Sequence, residues 1–342
     1  MQVLPASTTD RPGWATDIHA ALATQQLPVT AENICAVLAV IAQESSYRAD
    51  PTVPRMPEIA WNEIHRRAER AGIPRLLVDT ALRLPSPDGR SYSERIDAAR
   101  SERDLSDTFD DFIGMVPMGS RLFGSYNPVR TGGPMQVSIA FAEKQVRKGY
   151  PYPLANSVRK EVFTRRGGIW FGTAHLLDYQ APYGQMIYRF ADFNAGRYAS
   201  RNAAFQNALT LTSGVPLALD GDLVRHDGGD APGATELAAR SMGRQLDLSN
   251  SAVRHDLDQG EQAFFSDTAL ARGVFRMADQ GQASPVPRAM LPQIALSGPK
   301  ISRPLTTEWY ARRVDERFQR CLKSADALPA DTTDSSRKPD PR

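Results

Sequence analysis

The stretch "TAENICAVLAVIAQESS", residues 30 to 46, decides the fold. Thr30 is an N-cap candidate, Glu32 lies in the first turn, and Ile34, Val37, Leu38 and Ile41 form a helical stripe. The other faces carry Cys35, Ala36, Ala39, Val40 and Ala42, so almost nothing polar interrupts the run before Gln43. A helix that is apolar all round belongs in a core. Each residue turns by about 100°, which sets Glu44 roughly 70° from the centre of the stripe, on the edge of the buried face. Desolvation and the negative end of the helix dipole would both raise the pKa of a carboxyl group there. An acid held protonated near neutral pH can serve as a general acid, whereas a solvated Glu closing a core helix has no such role.

The 342 residues suffice for one large or two ordinary domains, and 41% hydrophobic with 23% charged residues is ordinary for a globular protein. A net charge of +2 argues against a dedicated nucleic-acid binder. No apolar run reaches the ~20 residues of a membrane span. The opening "MQVLPASTTDRPG" is too short and polar for a signal peptide, leaving two readings: a cytosolic protein, or a chain that starts after a removed leader. Cys35 and Cys321 form no CxxC, the five histidines show no paired-ligand spacing, and "RTGGPM" lacks the ending of a phosphate loop. Neither a metal nor an organic cofactor is expected.

The pattern is mainly α with a small β element near the middle. Residues 1–29 hold a short helix, and helices are expected over 31–47, within 58–84, and over 91–101 and 104–113. The Gly-rich stretch 119–138 carries short β-like alternation. Helices resume at 139–148, 155–163, 167–180, 184–192 and 199–211. Beyond 215 come helices near 234–247 and 259–279, a Pro-rich connector, and a last helix from Thr307 to about Lys323. The tail, 325–342, reads as disordered.

Three further stretches follow in order: "GGPMQVS" (132–138), "GTAHLLDYQAPYGQMIYRFADFNAG" (172–196) and "TTEWYARRV" (306–314). With Glu44-Ser45 they resemble the lytic transglycosylases of the lysozyme-like superfamily, related to goose-type lysozyme. Gly133, Met135 and Gln136 match the second motif of that family, Ala191, Asn194, Ala195 and Gly196 the third, and Thr307 and Tyr310 the fourth. Pro134, Asp192, Phe193 and Thr306 depart from it. The likeness covers about 30–48, 126–214 and 305–323. It implies a divergent member: a lysozyme-like core over 30–214 and 305–324, interrupted by helical insertions at 50–125 and 215–304.

The resemblance implies cleavage of the MurNAc-GlcNAc β-1,4 bond of peptidoglycan, with Glu44 as the single acid/base and 1,6-anhydromuramoyl ends as product. Tyr310 would orient Glu44, Asn194 and Gln136 would bind sugar, and Ser45 and Met135 would line the cleft. The same residues also admit plainer roles. Tyr310 shares a helical face with Val314, Phe318 and Cys321, Asn194 can be a turn residue, and Met135 can be packing. Two alternatives stay open: a hydrolytic muramidase with water activated by Asp192 or by another acid from the insertions, and a non-catalytic glycan-binding or scaffold protein on the same fold. Asp192 is otherwise expected to face solvent or cap a turn.

Glycan strands imply a periplasmic or cell-envelope location, with an outer-membrane lipid anchor and envelope partners for the insertions left open. The 50–125 insertion, joining two site elements, is expected to roof or extend the cleft. If Glu44 meets Tyr310 between antiparallel helices, Cys35 and Cys321 reach similar heights. Nine residues from Glu44, however, Cys35 is half a turn out of phase. That phase leads to an expectation of two unpaired buried thiols, with a disulfide as the alternative.

Overall fold

A computed structural model describes residues 3–115, 127–154, 156–225, 231–296 and 303–327. Most of the expected tail therefore lies outside the described residues, as do positions 119–126 of the Gly-rich stretch. The chain is mainly α-helical, with only short strands.

At its centre is the helix Ala31–Glu44, started by Thr30, whose hydroxyl accepts from the Asn33 amide at 3.2 Å. Every residue from Cys35 to Ile41 is at most 2% exposed, as the apolar circumference demands. Helices Arg11–Thr24, Arg165–Leu177 and Thr307–Asp326 pack against it, and the last of these also packs on Met186–Ala195. Small residues let the elements close: a Cβ on Gly172 would lie 2.4 Å from the Met135 sulfur.

Segment 50–125 joins this same core. Its helices Met56–Arg70, Tyr92–Ala98 and Glu102–Gly114 contribute Met56, Ala60, Ile96 and Leu105 to the central cluster. The Val53 amide donates to the Arg100 carbonyl at 2.8 Å, closing the segment on itself. Arg103 reaches the Phe163 carbonyl, tying it to the segment that precedes Arg165–Leu177.

Segment 215–304 builds most of a second core. Helix Ala199–Ser213 supplies Phe205, Ala208 and Leu209, and around them gather Ala239, Val253, Leu257, Phe265, Leu270 and Val274. The helix expected over 259–279 is instead a short 3-10 turn, Ala263–Asp267, followed by the helix Ala269–Gln280, and a further helix, Asn250–Leu257, precedes both. Ser249 and Thr268 each cap a new start, and Gly260 sits in the break against Leu223. The Pro-rich connector ends in a strand the sequence did not announce. Ala295–Leu296 pairs antiparallel with Leu305–Thr306, which leads directly into the C-terminal helix. Among the described residues, no helix is long and apolar enough to cross a membrane.

The expectation of unpaired thiols is overturned. Cys35 and Cys321 form a disulfide, with Cα atoms 5.5 Å apart. The phase count treated Glu44 and Tyr310 as if they lay on the line between the two helix axes. Short cysteine side chains must lie on that line, whereas a carboxylate and a phenol on long stems can meet beside it. The bond closes a loop of sequence separation 286. The loop-entropy model allows about 5 kcal/mol for so long a closure, less any strain. Denatured, unreduced protein should therefore show no free thiol. Cys321→Ala should lower unfolding stability by several kcal/mol, up to that ceiling, in a denaturant titration run against oxidised wild type, and reduction of the wild type should cost a similar amount.

Candidate active site

Glu44 is the last residue of its helix, and the chain leaves it abruptly. Ser46 and Tyr47 both adopt left-handed backbone, with φ of 50° and 62°. For residues bearing a Cβ this costs roughly 1–2 kcal/mol each, so the surroundings must enforce it. The Tyr47 hydroxyl donates to the Leu38 carbonyl at 3.3 Å, and its ring meets Trp14 edge-on. This folds the chain back along the helix and leaves Glu44, half-buried, at the end of a swallowed helix. Ser45 is buried, its hydroxyl donating to the Ile41 carbonyl at 3.0 Å, so it caps the helix rather than lining a cleft.

The C-terminal helix supplies the partner. With the disulfide at one end and Glu44 at the other, the two helices run antiparallel. The Tyr310 hydroxyl donates to Glu44 Oε1 at 2.5 Å. Burial first, and then the charge and hydrogen bond of Glu44, holds the Tyr310 phenol well above its ordinary pKa. It is therefore a proton donor at any physiological pH. One turn earlier on the same face, buried Thr307 donates to Asn194 Oδ1 at 2.9 Å. Asn194 is exposed, its carbonyl pinned and its amide nitrogen bonded to no described residue. Arg317 adds a bond to Gln43 Oε1 at 3.2 Å. Glu44, Tyr310 and Asn194 are thus gathered at one place by a single helix.

The hairpin residues divide. Thr131–Gly132 pairs antiparallel with Val137–Ser138, and the four residues between make a tight tip. Gly133, at φ 73°, presses on the Val162 carbonyl so closely that a Cβ would lie 2.1 Å from its oxygen. Met135 is fully buried against Gly172, which makes it core packing and corrects its expected place in the cleft. Gln136 is half-buried with φ 50°, its amide held within the hairpin by Thr131 and the Gly133 carbonyl, each at 3.4 Å. The hairpin is coupled to the Glu44 helix through Arg165–Leu177, which touches both.

Asp192 neither faces solvent nor stands ready as a second catalytic carboxylate. It is fully buried and accepts from the Ser200 amide at 2.7 Å, the Tyr198 amide at 3.0 Å, the Tyr179 hydroxyl at 2.9 Å and the Tyr183 hydroxyl. It caps the start of Ala199–Ser213, as one of its two structural readings expected. The phenols of Tyr179 and Tyr183 were not singled out from sequence, although both lie in the quoted motif. Among the described residues, no group of three or more His, Cys, Asp and Glu could hold a metal ion.

Fold and site together define a mainly α-helical protein with a carboxylate–phenol pair at the end of a disulfide-tied buried helix. A family model described as "Protein of unknown function (DUF1615)" matches residues 7–324, and the chain belongs to that family. A relative from Escherichia coli (strain K12), "Uncharacterized protein YaiW", is 58% identical over 322 residues, covering 94% of this chain and 88% of that protein. No solved structure matches the chain.

Burial pushes the Asp192 carboxyl from an ordinary 3.8 up to about 6, against the pull of its hydrogen bonds. An acid with a raised folded pKa binds more protons when folded than when unfolded. Its contribution to stability is thus full below 3.8 and falls as pH rises to about 6. Asp192→Asn should remove that downward slope from the stability–pH curve. Asp192→Ala, which orphans two amides and two phenols, should destabilise by about 3 kcal/mol or more at pH 7 in a denaturant titration.

Proposed function

We propose that this chain is a peptidoglycan lytic transglycosylase built on a lysozyme-like core, with Glu44 as its single acid/base. The observation that carries the reading is the Tyr310–Glu44 hydrogen bond at the end of a buried helix, with Asn194 anchored one helical turn away. The ordered motifs around these residues support the same reading.

Protonated Glu44 gives its proton to the glycosidic oxygen as the C1–O bond of N-acetylmuramic acid breaks and positive charge develops on the sugar. The resulting Glu44 carboxylate then takes the proton of that sugar's C6 hydroxyl, whose oxygen attacks C1 and closes a 1,6-anhydro ring. Intramolecular attack gains from proximity, so no second protein carboxylate is required. Tyr310 keeps its proton throughout. It fixes the direction of Oε1 and stabilises the carboxylate left after the first transfer. Asn194 offers an amide N–H to a sugar oxygen beside the cleaved bond, and Gln136 presents the hairpin tip to the glycan. The hydrolytic alternative in its Asp192 form is weakened, because the oxygens of Asp192 are occupied by two amides and two phenols. The reading carries a cell-envelope location, and the Cys35–Cys321 disulfide supports it because such bonds persist in oxidising compartments.

Mass spectrometry of digested peptidoglycan sacculi tests this directly. Anhydro ends are expected, and they differ from reducing ends by one water. Glu44→Gln should lower product formation by about 10²–10⁴-fold or more while leaving the melting temperature intact. Products bearing reducing ends would make the protein a hydrolase, and glycan binding without any soluble product would make it a scaffold. Tyr310→Phe should reduce the rate by about tenfold to a hundredfold, the worth of a charge-assisted hydrogen bond. Losing that donor also makes the Glu44 carboxylate harder to form, so the alkaline limb of the pH–rate profile should move to higher pH.

A further inference from the structure

The second core carries a pocket of about 530 Å³ that shares no lining residue with the Glu44 site. Arg272, Phe275 and Arg276 of the Ala269–Gln280 helix form one wall, with Arg201, Ser266 and Arg288 around them. Four of the lining residues are arginines and one, Asp279, is acidic. Asp279 is already paired with Arg288, Oδ2 to Nη2 at 2.5 Å.

We propose that this pocket binds an anionic ligand carrying two neighbouring negative groups, phosphates or carboxylates, with an apolar part against Phe275. Arg272 and Arg276 lie four apart on one helical face, and their guanidinium groups bond to no described residue. Like charges at that spacing repel, and an anion bridging them converts the repulsion into attraction. At the base, Arg201 is only 2% exposed. Its N–H groups are all taken by uncharged oxygens: Asn202 Oδ1 at 3.0 and 3.1 Å, and the carbonyls of Gln262, Ala263 and Gly260. No carboxylate is among its partners, and the rings of Tyr198 and Phe265 lie 4.3 and 4.9 Å from its Cζ. Burial opposes the Arg201 charge more than the nearby Asp192 carboxylate favours it, and a negative ligand above the guanidinium adds to that attraction. Arg201 contributes charge, while Arg272, Arg276 and the Ser266 hydroxyl contribute direct donors. Arg288, stacked 4.3 Å over Phe275, extends the apolar floor. The volume lies in the small-molecule range.

The site stands independently of the reading of Glu44. Calorimetric titration of the full chain uses pyrophosphate as the phosphate probe and glutarate as the dicarboxylate probe, both at low ionic strength. Saturable one-to-one binding with a dissociation constant below about 1 mM is expected for at least one probe. The affinity should fall as salt approaches physiological strength, because the donors are exposed. Arg272→Gln/Arg276→Gln should weaken binding at least tenfold, and Arg276→Gln alone should weaken it by a smaller factor. Both variants should melt no lower than wild type in the absence of ligand. Binding of pyrophosphate alone assigns phosphate ligands, and binding of glutarate alone assigns carboxylates. Binding of neither, or affinity unchanged in the double variant, overturns the proposal.

Discussion

The return of the C-terminal helix onto the Ala31–Glu44 helix is the constraint on which the rest depends. Thr307–Asp326 meets a helix more than 260 positions earlier in the chain, and three kinds of contact hold it there. Cys321 is bonded to Cys35, Tyr310 donates to Glu44, and Val314 and Phe318 bury themselves in the main core. The same helix face that carries Tyr310 also carries Thr307, which fixes Asn194. Position and chemistry are therefore coupled: loosening this helix would free the phenol, the amide and the carboxylate together.

A second constraint lies in the hairpin. Its tip fits only because Gly133, Gly168 and Gly172 leave room for the Val162 carbonyl, Pro134 and Met135 respectively. Met135 fills the space beside Gly172 as a flexible apolar plug, which suits its side chain better than contact with a sugar would. Gln136 then occupies left-handed backbone at the end of a rigidly seated turn. Ser46 and Tyr47 do the same beyond Glu44. Backbone conformations of this kind at two motif-bearing turns show where the surrounding packing overrides local preference.

Much of the central site was legible because it rests on local pattern. The apolar circumference of residues 34 to 42 announced a buried helix, and the order of the motifs brought Tyr310 to Glu44. What stayed hidden depended on direction in three dimensions. The disulfide was misjudged because helical phase fixes Cα positions and says little about the reach of Glu and Tyr. The two readings of Asp192, solvent or cap, could not be separated because its partners, the amides of Tyr198 and Ser200, become convergent only when a new helix starts after Gly196. The second core was invisible because it needs Phe205, Ala208 and Leu209, which the pattern assigned to the preceding unit. The arginine pocket draws on residues from 182 to 288, a spacing that no sequence window contains.

The disulfide also changes the topology of the molecule. Residues 35 to 321 form a covalent ring, and everything between, including the second core, hangs within it. A single backbone cut anywhere in that ring opens a strand but separates no fragment. The N-terminal and C-terminal pieces remain one molecule until a thiol reductant arrives. The helix bearing Tyr310 thus stays tethered beside Glu44 even after its connecting chain is severed.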